Sequence, residues 1–277
     1  MNEALKSAIY GLAIGDALGV PYEFQERGSF LCTDMIGYGT HNQPIGTWSD
    51  DTSMTLATCR SIQKNHGNVV SEDIRWEFEQ WMFKKKYTPF GKVFDCGNTC
   101  YEAICDKQGK TDEWSNGNGS LMRILPLAFV PGITDEMIGE VSAITHGHEI
   151  SKEACIIYVR IAIALLQGKK LQEAIRKSVP DTSRFASLGM IESYTENEIS
   201  SGGYVMETLQ AALWCLVKTD NYKACVLKAV NLGRDTDTTA AVAGGLAGIL
   251  YGYDGIPAEW MEKLQRKDMI ENILNWN

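Results

Sequence analysis

No run approaching the roughly 20 apolar residues of a bilayer span occurs in the 277 residues, which argues against a membrane protein. Positive charge is in deficit, with 26 Lys and Arg against 35 Asp and Glu and a formal charge of −9. Nucleic-acid binding needs a basic stripe that displaces counterions, and adhesion to anionic lipid needs clustered cations; this balance argues against both. Sustained two-residue alternation, internal repeats and low-complexity tracts are missing as well. No CxxC pair occurs among the eight cysteines, and the triplet Cys96, Cys100 and Cys105 matches no usual zinc spacing. Free thiols on apolar helical faces behave as small hydrophobes, so reduced cysteines and a cytoplasmic location are expected. The first twenty residues are apolar enough to consider as a signal peptide. Glu3, the interrupting Asp16 and a helical period identify them instead as the first core helix.

What remains is an ordinary globular composition, 44% hydrophobic and 22% charged. A chain this long buries about 75% of its unfolded surface without staples. Apolar residues recur at three- and four-residue intervals at Leu5, Ala8, Ile9 and Leu12, and at Ile74, Phe78, Trp81 and Met82 after a Ser71 cap. The same holds for Ala154, Ile157, Tyr158 and Ile161 after Ser151, and for Val205, Leu209, Ala212 and Leu216. Polar segments 32–48, 112–120 and 179–203 read as linkers between helices. The expectation is one all-α domain over 1–277, a compact orthogonal bundle of about a dozen helices. Trp76, Trp81, Trp214 and Trp260 read as core. In the segment 238–250, TTAAVAGGLAGIL, each Gly costs about 1 kcal/mol relative to Ala in a helix. Close approach of another backbone would justify that cost and places this helix at the centre.

Two acidic turns stand at expected helix starts: Trp48-Ser49-Asp50-Asp51-Thr52, and Gly233-Arg234-Asp235-Thr236-Asp237-Thr238. Each can be read as a cap, since Ser, Thr and Asp accept from free backbone NH groups and carboxylates suit the positive end of the dipole. In the second, Asp235 to Asp237 are expected to form a loop with Thr238 opening the helix, because residues two apart on a helix do not share a face. Taken together, four carboxylates with Ser49 and Thr238 also form an all-oxygen ligand set suited to Mg²⁺ or Mn²⁺, and a dinuclear site can orient a nucleophilic water.

These turns, with GLAIGDALG at 11–19 followed by Pro21-Tyr22-Glu23, and with Gly117-Asn118-Gly119-Ser120-Leu121-Met122-Arg123 between them, resemble the ADP-ribosylglycohydrolases. Those are relatives of dinitrogenase reductase-activating glycohydrolase and of the vertebrate ADP-ribosylhydrolases. The resemblance implies two Mg²⁺ (or Mn²⁺) ions in a central cleft, held by Ser49, Asp50, Asp51, Asp235, Asp237 and Thr238; Ser49 stands where many members have Thr. It implies catalytic roles for Glu23, Asp95 and Asp50, with Asp95 or Glu23 as the acid/base group and Asp16 bracing the site. Asp95, in Asp95-Cys96-Gly97-Asn98-Thr99, matches the acidic loop residue of arginine-directed members. Gly97, Asn98, Thr99, Asn118, Gly119, Ser120, Met122 and His146 are then substrate contacts.

Splitting a ribose C1–N or C1–O bond builds oxocarbenium character that carboxylates stabilise. Backbone NH groups where Asn116–Ser120 opens a helix suit a diphosphate; a flexible turn with Ser120 as cap is the plainer reading. Arg123 supports that cradle or pairs with a carboxylate. His41 and His66 read as loop residues, and His146 and His148 diverge if helical. The expected activity is metal-dependent release of ADP-ribose from an ADP-ribosylated protein, most simply at arginine, or from a small ADP-ribosyl conjugate. The alternatives are a serine- or O-linked specificity, a dinuclear phosphohydrolase, and a non-catalytic ADP-ribose-binding or structural member of the same fold, such as the family's lens protein.

Overall fold

In the computed structural model, which describes residues 2–275, the helical periods become twelve α-helices. They are α1 (Glu3–Gly19), α2 (Asp50–Lys64), α3 (Ser71–Lys84), α4 (Asn98–Asp106), α5 (Asp135–Ala143), α6 (Glu149–Leu166), α7 (Leu171–Ser178), α8 (Val205–Val217), α9 (Tyr222–Asn231), α10 (Thr236–Tyr251), α11 (Ala258–Lys263) and α12 (Lys267–Leu274). Short 3₁₀ turns join several of them. Among the described residues strand-type pairing is limited to isolated bridges, such as Tyr38 with Gln43. No described helix is long and apolar enough to cross a membrane.

The small-residue helix α10 packs against α1, backbone to backbone. A Cβ on Gly11 would come 2.4 Å from the Gly244 carbonyl oxygen, one on Gly15 2.1 Å from that of Ala240, and one on Gly19 2.3 Å from the Asp237 amide. The four-residue spacing of these glycines puts them on one face of α1. Both helices are buried along nearly their whole length, and one hydrophobic core runs from Leu5 to Leu274. The same contact sets the site, because Thr236 Oγ1 donates to the Gly19 carbonyl at 2.8 Å. The first turn of α10 is thereby fixed against the last turn of α1.

Several local expectations shift. Ser71 is the first residue of α3, and Val70 precedes it without a side-chain cap bond. Helix α6 begins at Glu149, where the His148 ring accepts from the Ile150 amide, so His148 is the cap and Ser151 lies inside. Trp81, Trp214 and Trp260 are buried, whereas Trp76 is 42% exposed; Lys64 and Lys86 place ammonium groups 4.7 and 5.2 Å from its ring centre. The polar segment 179–203 carries two 3₁₀ turns, Ala186–Ser193 and Glu196–Glu198. All eight cysteines are free thiols.

Candidate active site

The two acidic turns meet. Ser49 caps α2, its Oγ accepting from the Asp51 amide at 3.3 Å and donating to Asp51 Oδ2 at 3.0 Å. Helix α10 starts at Thr236, two residues before the expected position, so Asp235 is the cap residue and Asp237 lies in the first turn. The turn is made by Gly233 and Arg234, both at positive φ, and this is why the loop ends earlier than composition suggests. Asp235 and Asp237 converge across a cap and a first turn, not within a loop. Thr238 Oγ1 then lies 3.3 Å from Asp51 Oδ2 and joins the two helix starts. Beneath them the Asp16 carboxylate accepts from the Ser49 amide at 2.9 Å and the Thr52 amide at 3.0 Å. It also accepts from Thr52 Oγ1 at 2.6 Å, tying α1 to α2.

A cleft of about 550 Å³ opens above this floor, lined by Glu23, Asp50, Asp95, Asp235 and Thr238 among others. Asp51 and Asp237 are fully buried below it. Among the described residues no Lys or Arg lines the cleft, so its carboxylates face one another in a low dielectric. Burial, then the neighbouring carboxylates, pushes Asp50, Asp51 and Asp237 well above the usual range. Burial holds Asp235 and Asp16 at about 6, against hydrogen bonds that lower both. Glu23 is pushed up to about 11 by burial, then by Asp95 and Asp235.

Three buried carboxylate oxygens, Asp51 Oδ1, Asp235 Oδ1 and Asp237 Oδ2, have no hydrogen-bond partner. Each such atom costs on the order of 1–3 kcal/mol. Oxygens of Asp16, Asp51 and Asp237 lie within 4.8 Å of one another, as do ligand atoms of Glu23, His41, Asp95 and Asp237. Buried carboxyl oxygens that lack a hydrogen-bond partner suit hard divalent cations, so the buried acidic residues could form a metal site.

His41 is the residue the sequence reading missed. Its Nε2 is hydrogen-bonded to Glu23 Oε2 and stands 4.0 Å from Asp95 Oδ1. It reaches them because a 3₁₀ turn, Gly39–His41, folds onto Pro21–Glu23: Thr40 Oγ1 donates to the Glu23 carbonyl at 2.8 Å. A Cβ on Gly39 would come 2.1 Å from the Pro21 oxygen. One histidine in a Gly/Thr/Asn loop carries no periodic signal, and only the folded loop discloses the contact. Asp95 occupies the turn before α4 at φ 58°. Gly97, Asn98 and Thr99 line the cleft at the start of α4.

The glycine-rich segment departs further from expectation. Residues 121–129 form two 3₁₀ turns instead of an α-helix, so the helix-terminus argument for a diphosphate does not apply. Asn118 Nδ2 donates to Asp235 Oδ2 at 2.8 Å, and Gly117, Asn118, Gly119 and Met122 line the cleft. Ser120 does not line it; it is fully buried, and its Oγ accepts from Ser142 Oγ at 3.0 Å. Arg123 neither cradles nor pairs with a carboxylate. It is buried, donates to Thr145 Oγ1 at 2.8 Å, and stacks 4.5 Å from the Phe78 ring centre. His146, between α5 and α6, lines the cleft; burial, then Arg123, pushes its ring down to about 3, so it is neutral at working pH.

Residues 2–276 match the family model described as ADP-ribosylglycohydrolase. The chain is 34% identical over 282 residues to the ADP-ribosyl-(dinitrogen reductase) glycohydrolase of Rhodospirillum rubrum, across 96% of this chain and 92% of that one. It is 32% identical over 282 residues to an ADP-ribosylarginine hydrolase of Serratia proteamaculans, across 97% of this chain and 77% of the relative. A solved structure described as an ADP-ribosylglycohydrolase-related protein complex superposes with a TM-score of 0.82 at 29% identity, across 98% of this chain and 96% of that chain.

Proposed function

The chain belongs to the ADP-ribosylglycohydrolase family, and from that premise we propose that its acidic cleft hydrolyses the ribose C1–N bond of ADP-ribosyl-arginine. The substrate would be an ADP-ribosylated protein or a small ADP-ribosyl conjugate. The carrying observation is the set of unpartnered carboxylate oxygens of Asp51, Asp235 and Asp237 under a cleft without a basic side chain. Ser49, Asp50, Asp51, Asp235, Asp237 and Thr238 would hold two Mg²⁺ ions, or Mn²⁺. Bound there, the ions would polarise water and ribose hydroxyls. The absence of a basic phosphate clamp disfavours a phosphohydrolase reading.

The chain's own residues supply the rest. Glu23, held by His41, and Asp95 are the carboxyl groups of the cleft wall available for proton transfer. The C1–N bond breaks with its electron pair on nitrogen, and a water oxygen bonds to C1. The water's proton passes through Glu23 or Asp95 to the departing guanidine. Asp50 faces the same space and offsets positive charge developing at C1. Gly97, Asn98, Thr99, Asn118, Gly119, Met122 and His146 would orient the ADP-ribose, and Asn118 also fixes Asp235. The eight free thiols support a reducing, cytoplasmic setting, and the continuous core supports one domain over 1–277.

The test is incubation of arginine- and serine-ADP-ribosylated proteins with the full chain, in Mg²⁺, in Mn²⁺ and in chelator, following free ADP-ribose. Release from arginine in metal and none in chelator is expected. No release from either linkage by the metal-bound protein would overturn the proposal.

A further inference from the structure

Burial does not account for the Phe24 side chain. It follows Glu23 directly, lines the cleft, and is 67% exposed. Its φ is 64°, a left-handed backbone that is a genuine outlier for a bulky residue. Backbone hydrogen bonds hold it there: the Phe24 amide donates to the Arg234 carbonyl at 2.6 Å, and the Arg234 amide returns a bond to Gln25 at 2.7 Å. These bonds belong to the turn that delivers Asp235. Glycine would satisfy the same backbone without strain and without an apolar ring in water. The ring's aromatic neighbour is His41, at 5.8 Å and 58°. Strain of this kind at a cleft, uncompensated by burial, points to a role in function.

We propose that Phe24 is a specificity-determining residue whose ring receives the guanidinium of the modified arginine at the mouth of the cleft. A guanidinium is planar and weakly hydrated, and it stacks on aromatic faces. Here one face of the ion meets the Phe24 ring while its edge is turned toward the carboxylates of Glu23 and Asp95. An uncharged leaving group, such as a serine side chain, gains nothing from this arrangement. The inference rests on the arginine-directed reading above and names the feature that would select the leaving group.

The experiment compares the full-length, metal-loaded protein with Phe24→Ala, Phe24→Gly and Phe24→Tyr. Readouts are KM and kcat on ADP-ribosyl-arginine, inhibition by free ADP-ribose, and Tm. Phe24→Ala and Phe24→Gly should raise KM about tenfold with kcat nearly unchanged, as expected for lost uniform binding. Inhibition by ADP-ribose, which lacks the guanidinium, should not move, and Phe24→Tyr should restore KM. Phe24→Gly should also melt higher than the parent, which a merely structural residue would not do. Unchanged KM in Phe24→Ala, or an equal loss of ADP-ribose inhibition, would overturn the inference and leave the arginine-directed reading standing. An inactive parent on ADP-ribosyl-arginine would overturn both.

Discussion

Thr238 Oγ1 lies 3.3 Å from Asp51 Oδ2, linking two helix starts through residues 187 apart in sequence. The hydroxyl is a neutral oxygen donor beside a carboxyl group that burial, then neighbouring carboxylates, pushes well above the usual range. Thr238→Val keeps the shape and removes the oxygen. It should weaken Mg²⁺ or Mn²⁺ binding by about tenfold or more while helical content by circular dichroism stays unchanged. Calorimetric titration showing parental affinity would remove Thr238 from the ligand set. Asp50→Ala and Asp237→Ala should go further and abolish turnover.

Metal-free stability should fall as pH rises. Asp16 and Asp235 titrate near 6 in the folded chain, and Glu23 near 11, against about 4 for unfolded carboxyl groups. The folded state therefore holds more protons than the unfolded one above pH 4, and the linkage slope is negative. His146, pushed down to about 3, has the opposite slope, but only below its unfolded value near 6.5. Between pH 7 and 8.5 the raised carboxyl groups decide. In chelator, Tm should drop across that interval, and saturating Mg²⁺ should raise Tm more at pH 8.5 than at pH 7. A chelated protein that melts higher at pH 8.5 would refute this.

His41 should matter for rate and little for folding. Its ring joins Glu23 and approaches Asp95 from a loop, half-buried, with Phe94 5.1 Å away. His41→Ala frees the Glu23 carboxyl to rotate and should lower kcat by about 10²-fold or more, the low end of general acid–base effects. His41→Gln, which can still bond Glu23, should recover part of it. Equal kcat in the Ala variant and the parent would show that Glu23 needs no orienting partner.

The α1–α10 contact allows a sharp stability contrast. Gly15→Ala would put a methyl 2.1 Å from the Ala240 oxygen, where backbone cannot yield. A loss of about 3 kcal/mol or more in urea unfolding is expected, at the upper end of overpacking costs. Gly189→Ala meets nothing within 4 Å and should stay within about 0.5 kcal/mol of the parent. Similar midpoints for the two would contradict the close approach.

The parts of this molecule readable from sequence were those written in local chemistry. Asp50 and Asp51 sit in the first turn of α2 as an N-cap pattern announces, and the Ala/Gly run of α10 signals a close neighbour without saying which. Gly11, Gly15 and Gly19 supply that neighbour, and their role shows only when the two helices are side by side. His41 and Phe24 were illegible because loop folding and backbone strain, not periodicity, bring them to the cleft. Ser120 departs from its expected place for a related reason. Its motif suits a cap, but a 3₁₀ turn rotates the hydroxyl toward Ser142.

The pairing of α1 with α10 also constrains the order of events at the ribosome. Gly15 waits for Ala240, and at ~5–20 residues per second that interval is roughly 11 to 45 seconds. Until then the glycine face of α1 lacks its α10 partner, although α2 can already pack against the helix, and the floor of the cleft lacks Asp235 and Asp237. The acidic floor is thus assembled only after Asp237 has been made, and premature truncation near residue 230 would leave the glycine face of the first helix uncovered.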